Sequence, residues 1–211
     1  MKCKSLHKSV GWCRGTAVVA GMRGRVFFTP KDNVVVWPQV ELDALGRPVS
    51  SVLEGDFELE ADQKFYYLDI LKGKSRHSSD PYGEAHSQMQ LNKLTLVFPR
   101  IDEIAADLSA YFNNTDLLWL FQDGAGNCRV VGAENWLTVT KVSQENNMAN
   151  NEANTMISVE APDIVISPIY KGSIDTDAGM LDFSDPQCCF ASGVWRNDLP
   201  WINQMFWRNS I

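Results

Sequence analysis

The apolar positions of this chain fall in short runs, and most runs carry the two-residue period of a half-buried strand. Beyond Gly15, residues 17–20, 25–29 and 34–37 are rich in β-branched or aromatic side chains and bounded by Gly, Pro or Asp-Asn. Residues 56–60 alternate cleanly, with Phe57 and Leu59 facing in, and residues 64–71 predict a longer, better buried strand. Leu91, Leu94, Leu96 and Phe98 mark a strand that stops at Pro99. The period then changes. Ile101, Ile104, Ala105, Leu108, Tyr111 and Phe112 lie at helical spacing, with Asp102, Glu103 and Asp107 on the other side. The acids suit a helix N-terminus and Asn113-Asn114 its end, which predicts one helix over about 101–113.

A hairpin follows, in which residues 117–121 and 127–132 flank the turn Asp123-Gly124-Ala125-Gly126. Residues 136–142 alternate again, and residues 155–160 predict a last clear strand. Pro162 and Pro168 bracket Ile164-Val165-Ile166, an expected edge strand. Two polar stretches interrupt the pattern. Residues 72–88 predict a long loop, functional or mobile, and residues 144–154 hold five Asn. Strands dominate without any βαβ alternation, so the expected fold is mainly β: a β-sandwich or barrel with one packed helix. The chain divides into a basic N-terminal arm (1–14), a β-rich domain (15–185) and a Trp-rich C-terminal extension (186–211). In that extension Ile202, Met205 and Phe206 fall at i, i+3, i+4 beside Trp201, the spacing of a short amphipathic helix.

Composition narrows the class. A chain of 211 residues that is 45% hydrophobic has the apolar surface to build a core, which excludes a disordered protein. No apolar run approaches the roughly 20 residues of a membrane span, and the start lacks the apolar stretch of a signal peptide, so no membrane partner is expected. Cys3, Cys13, Cys128, Cys188 and Cys189 are expected as reduced thiols rather than a disulfide framework. Neither they nor His7, His77 and His86 have the spacing of a metal site.

Charge matters by its layout. Residues 1–31 carry seven bases (Lys2, Lys4, Lys8, Arg14, Arg23, Arg25, Lys31) and no acid, whereas residues 101–185 carry fourteen acids against Arg129, Lys141 and Lys171. The total is −7. Such a gradient fits a solvated arm, or a basic end of one copy meeting an acidic surface of another. An acidic body argues against a DNA-reading domain.

The polar residues hold no familiar catalytic pattern. No phosphate cradle, dinucleotide fingerprint or nucleophile elbow occurs. The Asp123–Asn127 turn lacks the ligand pattern of a calcium loop. Glu58 and Glu60 share one strand face but belong to a solvated one, and His77 and His86 with Ser78, Ser79 and Asp80 lie where mobility is expected. No catalytic residue, cofactor or metal is therefore assigned, and an enzyme is not expected.

The order of the segments resembles bacteriophage tail tube proteins, especially those of Bacteroidetes phages and prophages. The resemblance covers about residues 15–175 and rests on four segments. These are Gly21-Met22-Arg23-Gly24-Arg25-Val26-Phe27-Phe28, then Asn33-Val34-Val35-Val36-Trp37-Pro38, then the long loop with Gly83 before the strand into Pro99, and the single helix followed by the hairpin 118–132. It implies a structural virion protein of the phage tail, assembled in the host cytoplasm, whose hexameric rings stack into a tube. DNA would pass through without specific binding, and the other partners would be tail and head–tail connector proteins. A head–tail connector or tail-completion ring protein is the alternative, and a carbohydrate-binding β-sandwich built on the seven Trp is a further one. The residues expected between subunits are Lys4, Lys8 and Arg14 of the arm, Arg76, His77 and Tyr82 of the loop, and Trp201, Phe206 and Trp207 of the extension.

Overall fold

The structure, a computed structural model, describes residues 19–147 and 152–184. Fifteen strands and one α-helix follow each other along the described residues. The strands are β1 (Met22–Pro30), β2 (Val34–Val36), β3 (Gln39–Leu42), β4 (Pro48–Glu54), β5 (Glu58–Leu59), β6 (Tyr66–Asp69), β7 (Arg76–Tyr82) and β8 (Met89–Phe98). After helix α1 (Glu103–Phe112) come β9 (Leu117–Asp123), β10 (Cys128–Val131), β11 (Val139–Asn147), β12 (Glu152–Asp163), β13 (Ile169–Tyr170), β14 (Ser173–Thr176) and β15 (Gly179–Asp182).

A seven-stranded sheet in the order β3-β4-β13-β10-β9-β1-β6 forms the middle layer. One of its faces meets a four-stranded sheet, β11-β12-β8-β7, together with α1. Val26, Phe28, Leu117, Trp119 and Phe121 pack there against Leu94, Leu96, Phe112, Ile157 and Val159. The other face is covered by two small ribbons, β2–β5 and β14–β15, through Phe27, Leu118, Leu120, Val130, Phe57, Ile174 and Phe183. The fold is a layered β-sandwich; neither sheet closes, so the barrel option is not realised.

The helix forms where its period places it. Asp102 caps its N-terminus by accepting the Ala105 N–H at 3.2 Å. Phe112 anchors the far end, with its ring centroid 4.8 Å from Phe28 and 5.3 Å from Trp119. The β9–β10 hairpin also stands as expected, Cys128 pairing with Gln122 around the Asp123–Gly126 turn. Gly132 ends it at a φ of +113°, where a Cβ would lie 2.8 Å from the Thr138 hydroxyl and 2.9 Å from the Leu117 carbonyl. Only glycine fits that approach.

Five expectations need correction. Residues 72–88 are not one long loop: β7 occupies Arg76–Tyr82, pairs antiparallel with β8, and leaves only 83–88 as the connection. Pairing with a well-buried neighbour overrides the poor strand propensity of Ser, Asp and Pro at a sheet edge. The strand expected over 64–71 shrinks to β6, an outer strand with Tyr66 and Tyr67 exposed. The polar stretch 144–154 is largely paired, β11 against β12 from Val139↔Glu160 out to Asn147↔Glu152. Ile164-Val165-Ile166 is a bend, because the Asp163 carboxylate accepts the Ile164 and Val165 N–H groups and turns the chain. Finally, residues 155–160 are not the last strand, since β13, β14 and β15 follow.

The fold predicts its own weak point. Phe112→Ala should cost about 3–5 kcal/mol, because it opens a cavity between the sheets beneath α1. Asp107→Ala, on the exposed side of the same helix, should stay within about 0.5 kcal/mol. Urea unfolding of the two variants measures the contrast.

Candidate functional site

Among the residues expected between subunits, the described ones are Arg76, His77 and Tyr82. Lys4, Lys8, Arg14, Trp201, Phe206 and Trp207 lie outside the described residues, as do the arm 1–14 and the extension 186–211. All three described residues sit on β7, the outer strand of the four-stranded sheet. The alternation of the strand separates them. Arg76, Ser78, Asp80 and Tyr82 face outward, while His77 turns into the body.

The outward face of that sheet is polar and balanced in charge. Arg76, Lys93 and Lys141 share it with Asp80, Glu145 and Glu160. Lys93 donates to Asp80 at 2.9 Å across the β7–β8 pair. A different surface gathers acid. Glu54, Asp56, Glu58, Glu60 and Asp62 are all exposed around β5, and Asp175, Asp177 and Asp182 of the β14–β15 ribbon are exposed as well. Lys64 pairs with Asp175 at 3.6 Å.

The inward side of β7 belongs to a polar joint. His77 Nε2 lies 2.7 Å from Ser167 Oγ, and its ring stands 5.0 Å from that of Phe121 on β9. The Ser167 N–H donates to Asn92 Oδ1 at 3.0 Å, and Asn92 Nδ2 donates to the Val165 carbonyl at 3.1 Å. Arg129 on β10 donates to the Ser167 carbonyl at 3.3 Å and to Asp123 at 2.9 Å. Asn92 and Ser167 are fully buried, and Ser167 holds a positive φ of 23°. The cluster ties β7 and β8 of one sheet to β9 and β10 of the other through the 164–167 bend. Its His–Ser pair has hydrogen-bonding distance, but the hydroxyl is sealed inside the body, so the pair acts as a strut between layers.

Burial decides the protonation of this joint. It pushes His77 down to about 4, with Arg129 adding to the shift and Asp123 opposing it. Burial pushes the Asp163 carboxyl up to about 6 against its two backbone N–H partners. A second polar joint holds the loop before β11. Lys31, also buried, donates to the Ala133 and Trp136 carbonyls at 3.1 and 2.6 Å and pairs with Asp116 at 3.0 Å. Burial lowers its pKa, and Asp116 partly restores it.

Three of the seven N-terminal bases are therefore committed inside the domain. Lys31 is buried, Arg25 forks onto Asp69 at 2.8 and 3.1 Å beneath the Tyr67 ring, and Arg23 reaches Gln122 at 3.1 Å. These interactions link residues far apart in sequence, and no spacing rule signals them. Among the described residues no group of three or more His, Cys, Asp or Glu is arranged to hold a metal, and no helix is long and apolar enough to cross a membrane. Cys128 is a buried thiol of the second core.

Comparison with protein-family models, with curated proteins and with solved structures finds no match to this chain.

The two shifted groups pull stability in opposite directions. His77 is held below its free value, so its contribution is full above about pH 6.5 and is lost as pH falls toward 4. Asp163 is held above its free value, so its contribution is full below about 3.8 and is lost as pH rises through 6. The Asp163 contribution amounts to at most about 3 kcal/mol and the His77 contribution to less, because solvent screens its partly exposed ring; between pH 6.5 and 4 the two oppose each other. Relative to the parent chain, Asp163→Asn should lose more stability between pH 7 and 4.5, and His77→Phe should lose less or gain. Urea midpoints at the two pH values test both signs.

Proposed function

We propose that this protein is a structural virion protein of a phage-like tail, a tube subunit that assembles into stacked homohexameric rings around the path of the genome. One observation carries this reading: the four-stranded sheet ends on both sides in long strands, β7 and β11, with no further strand beside either among the described residues. Among the described residues, Val142 on β11 donates to Asn113 Oδ1 at 2.8 Å, where α1 lies beside part of that strand. Long uncovered edges are an aggregation hazard in a monomer and an assembly surface in an oligomer. Because the two edges differ, joining β7 of one copy to β11 of the next is a head-to-tail contact, the kind that generates a ring when the rotation between copies closes.

Further observations support the reading. The resemblance of segments 15–175 to tail tube proteins supports it, without the long loop, since Arg76–Tyr82 is strand β7. The acids of residues 54–62 with Asp175, Asp177 and Asp182 offer a surface that repels phosphate, as a wall facing passing DNA should. Neither a cofactor nor a catalytic group belongs to this role. The alternative of a sugar-binding module finds little support, since Trp119 is buried and Trp37 and Trp136 are half-buried, leaving no indole platform among the described residues.

Negative-stain microscopy of the concentrated full chain is expected to show rings or tubes. A compact monomer at every concentration, with or without other tail components, overturns the proposal, and unstacked single rings point to a connector instead. Arg76→Glu with Tyr82→Glu, both outward on β7, should abolish assembly while leaving the circular dichroism spectrum unchanged. Reversing Lys4, Lys8 and Arg14 to Glu should weaken stacking, and raising salt from 0.1 to 1 M should do the same, as the screening length falls from about 10 to about 3 Å.

A further inference from the structure

A patch of exposed apolar surface lies where α1 meets the outer strand β6. Tyr66 and Tyr111 are each 44% exposed, Ile104 is 53% and Ile101 is 37%. These side chains share one surface. The Phe28 ring lies 6.0 Å from Tyr66 and 4.8 Å from Phe112, and Tyr111 stands 6.0 Å from Phe112. Burial raises the pKa of the Tyr111 phenol, and the nearby Tyr66 adds to the rise. Ile104 and Tyr111, seven residues apart, fall on the same side of the helix. Single exposed apolar residues are ordinary, but a contiguous aromatic patch on a rigid floor is a docking surface. Phe28 and Phe112 are buried and supply that floor.

We propose that the chain's own C-terminal segment docks there, inserting Trp201, Ile202, Met205, Phe206 and Trp207 over Tyr66, Ile104 and Tyr111. The inference is independent of the tail reading. It rests on where the described chain stops and on what lies beyond. Among the described residues Phe183 is the last buried side chain, with its ring 6.1 Å from Phe27, and Phe27 pairs with Tyr67 of β6. The chain therefore leaves beside the very sheet edge that borders the patch, on the opposite face. Sixteen residues lie between Ser184 and Trp201, and the seventeen steps reach about 56 Å when extended. Rounding one edge requires a step of about 10 Å, the spacing between layers.

The chemistry of the segment matches the surface. Residues 185–211 hold three Trp and two further stripe residues, Ile202 and Met205, beside Phe190 and Phe206. Trp is the favoured anchor for an aromatic pocket. Arg196 and Arg208 flank the apolar set, and Glu103 and Asp107 are exposed on α1. The N-terminal arm is the poorer occupant. It enters the fold at Val19 and Ala20, whose carbonyls pack against Gly124 in the β9–β10 turn, and its residues 1–18 contain one Trp.

The test uses the full chain at low concentration with a benzoylphenylalanine photo-cross-linker replacing Ile104. Irradiation, separation by mass and tryptic digestion should yield a cross-link to the peptide 197–208 in the monomer band. A cross-link to that peptide in the dimer band means that a second copy covers the patch and overturns the proposal, as does no cross-link to residues 185–211. In a second measurement, the triple variant Trp201→Ala, Phe206→Ala, Trp207→Ala should speed hydrogen exchange in α1 about fivefold or more while β8 and β9 stay unchanged. Unchanged exchange in α1 also overturns it. A circular dichroism spectrum equal to that of the parent chain shows that both measurements report on a folded protein.

Discussion

Strand β9 must be apolar on both faces, and the rest of the structure follows from that demand. Leu117, Trp119 and Phe121 point into the core shared with the four-stranded sheet, whereas Leu118 and Leu120 point into the core beneath the small ribbons. All five are essentially inaccessible to solvent. A strand buried on both sides cannot alternate polar with apolar residues, and it must be covered twice. The larger sheet and α1 supply one cover. On the other side, β2–β5 and β14–β15 are short because they need only shield a few rings, chiefly Phe27, Phe57 and Tyr170.

This doubly covered centre explains what could be read from the chain. The continuous run at Leu117–Asp123, the turn glycines after it and the helical spacing of Ile104, Leu108 and Phe112 are strong local signals, and the fold realises them. Strand β8 shows through Leu94 and Leu96 for the same reason. The outer strands were obscured because they bury little. β7 spells Arg-His-Ser-Ser-Asp-Pro-Tyr and is a strand only because β8 lies beside it. The Asn-rich ends of β11 and β12 are likewise held by each other. At 164–166 the error ran the other way: three β-branched residues in a row promised a strand, but the Asp163 side chain captured the backbone N–H groups first.

The polar joints were invisible for a different reason. His77 and Ser167 are separated by 90 positions, and Lys31 and Trp136 by 105. Each pair closes a seam between elements whose apolar packing is already set. The Lys31 joint satisfies backbone carbonyls where β10 gives way to β11, and the His77 joint does so where β12 gives way to β13. Buried polar groups of this kind stabilise less than they discriminate: a chain that mispairs its sheets would leave them unsatisfied at a cost of about 1–3 kcal/mol each. Both joints therefore sit at the ends of long strands, where the ladder of backbone hydrogen bonds stops.

The single parallel pairing in the larger sheet, β13 beside β4, also sets an order of events during synthesis. Val52 faces Ile169, so the β3–β4 ribbon can join its sheet only after a partner about 117 residues later has left the ribosome. At roughly 5–20 residues per second that is a wait of about 6–23 s. Through that interval β3 and β4 must persist as a lone hairpin, which in water is marginally stable at best. The nascent chain thus carries an early ribbon with no sheet to join, and the middle layer is completed by a short strand made long after it.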